Sequence, residues 1–146
     1  MTIAIGCDHG GYELKEFLKQ QLVKDGYELR DFGTFSEASI DYPDIAASVC
    51  ESVQKDECQR GILICGTGIG MSICANKYKG IRAALCGDCY SAKMTRQHND
   101  SNILCLGGRV TGPELAKMIA EIWLAEDFIG MHHTARLDKI KKLEEC

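Results

Sequence analysis

Proline occupies only 2 of the 146 positions, and no apolar stretch approaches the roughly 18 residues of a membrane span. With 45% hydrophobic and 26% charged residues besides, the chain is neither disordered nor of low complexity. Basic residues are in deficit: 17 Lys and Arg stand against 21 Asp and Glu, a balance that disfavours a nucleic-acid or anionic-membrane partner. Residues Met1–Gly6 carry no basic segment, and their apolar run is too short for a secretory signal. Cysteine, in contrast, is abundant. Its count of 9 is odd, so the residues cannot all pair within one chain, and their spacings are scattered. The expectation is a reduced, intracellular, cytoplasmic protein rather than a disulfide scaffold. Residues 1–146 are expected to form one domain, without internal repeat or linker, large enough to bury a core unaided.

Short apolar runs alternate with amphipathic segments, as in a parallel sheet covered by helices on both faces. Strands are expected at Thr2–Gly6, Tyr27–Phe32, Gly61–Cys65, Arg82–Cys86 and Asn102–Leu106, most of them continuous enough in apolar residues to be buried on both faces. A helix over Tyr12–Lys24 puts Leu14, Phe17, Leu18 and Leu22 on one stripe and stops at Gly26. Pro43–Lys55 repeats the pattern with Ile45, Val49 and Val53. Gly112-Pro113 opens another helix, with Leu115, Ile119, Ile122 and Trp123 inward. The stripe of the last helix, near His132–Glu145, holds only Leu137, Ile140 and Leu143 and suits docking on a partner better than a core.

In such a sheet a ligand sits beyond the carboxyl ends of the strands. The segments there are Cys7–Gly11, Gly33–Tyr42, Cys65–Gly70, Gly87-Asp88 and Gly107–Arg109. Cys65-Gly66-Thr67-Gly68-Ile69-Gly70 runs from a strand through glycines into a helix, which turns free N–H groups toward the site. A dinucleotide fingerprint needs glycine where Met71 stands, and the Gly-Lys-Ser/Thr of a nucleotide-binding phosphate loop is missing. What remains is a thiol at the mouth of an anion-stabilising loop, suited to act as base or nucleophile. Its alternative is a buried thiol that merely packs. Asp8-His9 and His98-Asn99-Asp100 set histidines beside carboxylates, either as acid–base groups or as structural side chains. Arg109 and Arg136 are anion clamps or plain surface charge. Cys86-Gly87-Asp88-Cys89 is a weak redox motif, and a zinc site would have to recruit scattered cysteines. His132-His133 reads as an exposed helix start.

Seven motifs in order, Cys7-Asp8-His9-Gly10-Gly11, Asp41-Tyr42-Pro43, Ile64–Gly70, Ala75-Asn76-Lys77, Gly80–Ala83, Arg96–Asp100 and Gly107–Val110, resemble ribose-5-phosphate isomerase type B, in the wider ribose, galactose and allose phosphate isomerase family. The resemblance covers nearly the whole chain. It implies a single-domain, Rossmann-like α/β/α sandwich with five parallel strands. The partner it implies is a second copy, in a homodimer or dimer of dimers whose active sites are shared. There the His98 segment of one chain would face the Cys65 loop of the other.

The reaction so implied interconverts D-ribose 5-phosphate and D-ribulose 5-phosphate through an enediolate, without metal or organic cofactor. Cys65 matches the base at C2 and His98 the residue that opens the ring. Asp8, Tyr42 and Asn99 match sugar contacts, and His9, Arg109 and Arg136 match phosphate contacts. Thr67, Gly66, Gly68 and Gly70 match the loop that holds the intermediate. One branch of the family has a glutamate base at the position of Met71 and no cysteine, so this chain sides with the cysteine branch. Many members carry arginine where His132 stands. A histidine is only partly charged near neutrality, which makes a weaker, pH-dependent phosphate contact and leaves the preferred sugar open. A 6-phosphohexose isomerase and a non-catalytic sugar-phosphate sensor are the alternatives.

Overall fold

The computed structural model describes residues 1–146 as five parallel strands and six α-helices. In chain order these are β1 (Thr2–Cys7), α1 (Tyr12–Lys24), β2 (Glu28–Asp31), α2 (Tyr42–Gln54), β3 (Arg60–Cys65), α3 (Ile69–Ala75), β4 (Ala83–Leu85), α4 (Cys89–Asn99), β5 (Ile103–Gly107), α5 (Pro113–Ala125) and α6 (His132–Leu143). The sheet runs β2-β1-β3-β5-β4. Chain order reverses between β1 and β3, so the loops after these two strands diverge to opposite faces and leave a crevice at their carboxyl ends.

Strand alternation builds two cores from one sheet. Ile3, Ile5, Ile62, Ile64, Leu104 and Leu106 face Leu14, Leu18 and Leu22 of α1 together with Ala116, Ile119 and Trp123 of α5. Ala4, Leu63, Cys65, Ile103 and Cys105 face the other way, onto Ile45, Val49 and Val53 of α2 and Met71 of α3. Past the first residues of β1 and β3, Thr2 and Arg60, the three central strands are therefore apolar and buried, whereas β2 at the sheet edge is half-exposed along its length.

Several details depart from the sequence expectation. Strands β2 and β4 are shorter than expected at both ends, because each has a partner on one side only. Leu115 of α5 turns outward, and the inward stripe is Ala116, Ile119, Ala120, Trp123 and Leu124. Lys15 of α1 is fully buried. Its ammonium donates to Asp31 Oδ1 at 2.8 Å, Asp31 Oδ2 at 2.9 Å and the Thr34 carbonyl at 2.6 Å. Helix α6 buries only His133, which corrects the reading of His132-His133 as a wholly exposed start. Ile140 and Leu143 stay exposed on it.

Candidate active site

Cys65 ends β3, buried toward the α2–α3 face. Gly68 follows with φ +79°, a conformation that costs glycine little, and so directs its amide back onto Cys65 Sγ at 3.1 Å. The Thr67 hydroxyl accepts from the Ile69 amide at 3.2 Å. The amides of Gly66, Thr67, Gly70 and Met71 donate to no acceptor in the chain. A sulfur with one N–H directed at it, ringed by unpaired donors, is equipped to carry negative charge and to stabilise it on a neighbouring oxygen.

The loop after β1 lies against this segment. Asp8 is buried, and its Oδ1 accepts from the Gly10 amide at 2.8 Å, which starts the 3₁₀ turn His9–Gly11. A Cβ on Gly10 would lie 3.0 Å from the Gly66 nitrogen, and one on Gly108 only 2.6 Å from the Gly10 carbonyl oxygen. Side chains are absent here because three loops, after β1, β3 and β5, meet backbone to backbone. The Gly108 amide donates to the Cys65 carbonyl at 2.8 Å and the Arg109 amide to that of Gly66 at 2.9 Å. The Arg109 side chain thereby lies over Gly66. His9, Gly10, Gly108 and Arg109 line a cleft of about 320 Å³, with Glu13 and Glu37 also on its wall. The Ile40 amide donates to His9 Nδ1 at 3.3 Å, so a neutral His9 carries its proton on Nε2. Tyr42 opens α2 and lays its ring over Gly70.

Nine of the expected residues thus converge at the carboxyl edge of the sheet: Asp8, His9, Tyr42, Cys65, Gly66, Thr67, Gly68, Gly70 and Arg109. The remaining four do not join them within one chain. His98 and Asn99 close α4 beside Arg82, whose Nε donates to the Asn99 carbonyl at 2.9 Å where β4 begins. From there to the carboxyl edge is the length of β5, five residues or roughly 15 Å of strand. His132 and Arg136 are exposed on α6 at that same far edge, with His133 between His98 and His132.

The weak redox motif fares poorly. Burial, then the nearby Asp88 carboxylate, push the Cys86 thiol up to about 11, so it holds its proton near neutrality. Cys50 is pushed up to about 12 and Cys7 to about 11, burial being the largest cause for both. No group of three or more His, Cys, Asp or Glu is arranged to hold a metal ion.

A family model described as Ribose/Galactose Isomerase matches residues 3–140, the span that contains every candidate site residue. The chain belongs to the ribose/galactose isomerase family. Within that family it is 49% identical over 143 residues to ribose-5-phosphate isomerase B of Escherichia coli K12, covering 98% of this chain and 96% of the relative. It is 43% identical over 142 residues to D-erythrulose-4-phosphate isomerase of Pectobacterium atrosepticum, covering 96% and 93%. The ribose-5-phosphate isomerase B structure from Clostridium thermocellum superposes with a TM-score of 0.98 at 53% identity, over 99% of this chain and 98% of that one. The sandwich is therefore the family's fold.

Sequence reasoning missed two neighbours of the candidate residues. His133 stacks on His98 with ring centroids 4.1 Å apart, and the only signal was its place beside His132, three residues before Arg136. Lys15 anchors the segment leading to Ile40 and Tyr42. Its signal was a lysine three residues before Leu18 and seven before Leu22, on an apolar stripe.

Proposed function

We propose that this protein is a cofactor-independent aldose–ketose isomerase that interconverts D-ribose 5-phosphate and D-ribulose 5-phosphate. The observation that carries the reading is the Cys65 thiol, held by the Gly68 amide in a loop of unpaired N–H donors at the crevice between β1 and β3. The name and close identity of the Escherichia coli relative support the substrate. The reading treats residues 1–146 as one cytoplasmic sugar-phosphate isomerase domain. No helix is long and apolar enough to cross a membrane.

The furanose must open first: O1 loses its proton, the C1–O4 bond breaks, and O4 is protonated. His98 mediates that transfer, and Asp8 Oδ2, which no group in the chain engages, holds the rearranging hydroxyls. The Cys65 thiolate then takes the C2 proton, the O2 proton passes to O1, and the thiol, after exchanging its proton with solvent, protonates C1 to leave the ketone at C2. Between these steps the enediolate oxygen rests against the loop amides and the Thr67 hydroxyl. His9 Nε2–H, Arg109, His132 and Arg136 bind the phosphate, which takes no part in bond changes and serves to fix the sugar. Tyr42 and Asn99 contact the sugar. His98, Asn99, His132 and Arg136 lie too far from Cys65 to serve its own chain, so a second copy contributes them, in a homodimer or a dimer of dimers. The exposed Ile140 and Leu143 of α6 suit that docking.

Ribose 5-phosphate incubated with the protein in D₂O and a chelator, followed by NMR, tests the reaction. The expected product is ribulose 5-phosphate with deuterium at C1. Binding without exchange of the C2 proton would identify a sensor instead. The Pectobacterium relative is named for a four-carbon sugar phosphate, so kcat/KM for ribose, allose, galactose and erythrulose phosphates decides the preferred substrate.

A further inference from the structure

We infer that His133 is a positioning residue for ring opening: its imidazole is the flat face against which the His98 ring is held. The inference rests on the assignment of ring opening to His98. The two rings are nearly parallel, 12° apart with centroids at 4.1 Å, and they join the last turn of α4 to the first turn of α6. No residue of the chain hydrogen-bonds either nitrogen of His98. A histidine that moves protons is normally oriented through a hydrogen bond to its second nitrogen. Here that fixing contact is absent, and the stack takes its place. It leaves both nitrogens of His98 available to the sugar, one to accept a proton and one to donate.

A stack of this kind works only while His133 is uncharged, since two imidazolium rings at this distance repel. The groups that face His133 are His98 from α4 and His132 and Arg136 from α6 itself. All three are cationic or can become so. Glu126, in the segment between α5 and α6, is taken up by Gln97 Nε2 at 2.8 Å. Burial first, then the charges of His132, His98 and Arg136, push His133 below the ordinary histidine range and so favour its uncharged form. His133 is 7% exposed, against a partly exposed His98 and an exposed His132, so of the three rings it is the one walled in to serve as support.

Cys65→Ala gives the background for the test, because it stops isomerisation while leaving ring opening to be read as exchange between the α and β furanose anomers of ribose 5-phosphate. Saturation-transfer NMR measures that exchange in the full-length protein. Cys65→Ala/His133→Ala is expected to slow the protein-catalysed exchange by about tenfold or more. Cys65→Ala/His133→Phe, which restores a flat uncharged ring, is expected to stay within about twofold of the background. The His98 Hε1 resonance should show an upfield ring-current shift in the background and the Phe variant, and lose it in the Ala variant. Unchanged exchange in the His133→Ala protein overturns the inference, as does equal loss in the Ala and Phe proteins with their folds intact. Cys65→Ala/His98→Ala separates the two levels. If it keeps full exchange, the ring-opening assignment fails and this inference with it; if it loses exchange while His133→Ala does not, only the role of His133 fails.

Discussion

The ring of Tyr42 lies directly over Gly70, so that a Cβ at position 70 would come within 2.7 Å of Tyr42 Cζ. One tyrosine at the start of α2 and one glycine in the first turn of α3 thus define a wall of the crevice without a hydrogen bond between them.

Gly70→Ala is expected to fold normally, since the side chain it meets can swing away, but to displace Tyr42 from the sugar. KM for ribose 5-phosphate should rise by about five- to tenfold, the worth of one lost hydrogen bond of ~1 kcal/mol. An unchanged KM would remove Tyr42 from the site.

Cys65→Ala is expected to lower kcat by about a thousandfold or more while leaving substrate affinity and thermal melting close to those of the parent. Calorimetric titration with ribose 5-phosphate, alongside initial rates, checks both halves. Near-normal turnover in this variant would dismiss the thiol as the base.

Gly108→Ala drives a methyl against the Gly10 carbonyl, which is backbone and cannot swing aside. The loops after β1 and β5 must separate, at a cost of about 1–3 kcal/mol in urea unfolding and with loss of activity. Gly112→Ala, with nothing within 4 Å of the new Cβ, is the control and should alter neither.

The Lys15–Asp31 pair carries a pH signature. Burial pushes the Asp31 carboxyl up, but hydrogen bonds from Lys15, Lys19 and the Gly33 amide, with the Lys15 charge, outweigh it and hold it below the ordinary carboxylate range. A depressed folded-state value means that the pair's stabilisation is complete above the unfolded carboxylate range and is lost as pH falls through the folded one. Lys15→Met should cost about 2–4 kcal/mol at neutral pH, short of the worst case for a broken buried pair because Lys19 remains 2.6 Å from Asp31 Oδ2. It should also flatten the acid limb of stability against pH, which urea melts across the acid range would show.

Reactive thiols should be few. With Cys7 and Cys86 pushed up to about 11 and Cys50 to about 12, alkylation of native protein near neutral pH should spare all three. Cys89→Ser should retain full isomerase activity, and loss of activity there would revive the redox reading of the Cys86 pair.

Much of this was legible before folding. Continuous apolar runs announce strands buried on both faces, and glycine-rich segments after them announce the crevice, because both depend on local composition and on a general property of parallel sheets. Lys15 escaped because a charged residue on an apolar stripe looks like an error until Asp31 and the Thr34 carbonyl arrive from across the fold. The amide of Ile40 on His9 has no sequence signal, since any residue other than proline offers that donor. Leu115 misled because periodicity gives the width of a helical stripe more readily than its centre.

By itself, then, the sequence determined the candidate groups: a thiol in a glycine loop, histidines beside carboxylates, arginines able to hold an anion, and a family whose motifs it carries in order. Only the tertiary structure decided which of these meet. It gathers Asp8, His9, Cys65 and Arg109 at one edge of the sheet and leaves His98, His132 and Arg136 a strand's length away, with His98 stacked on a buried His133. The reason is geometric. A helix returning antiparallel to its strand carries its last residues to the opposite edge, a consequence of strand and helix lengths that no spacing along the chain displays.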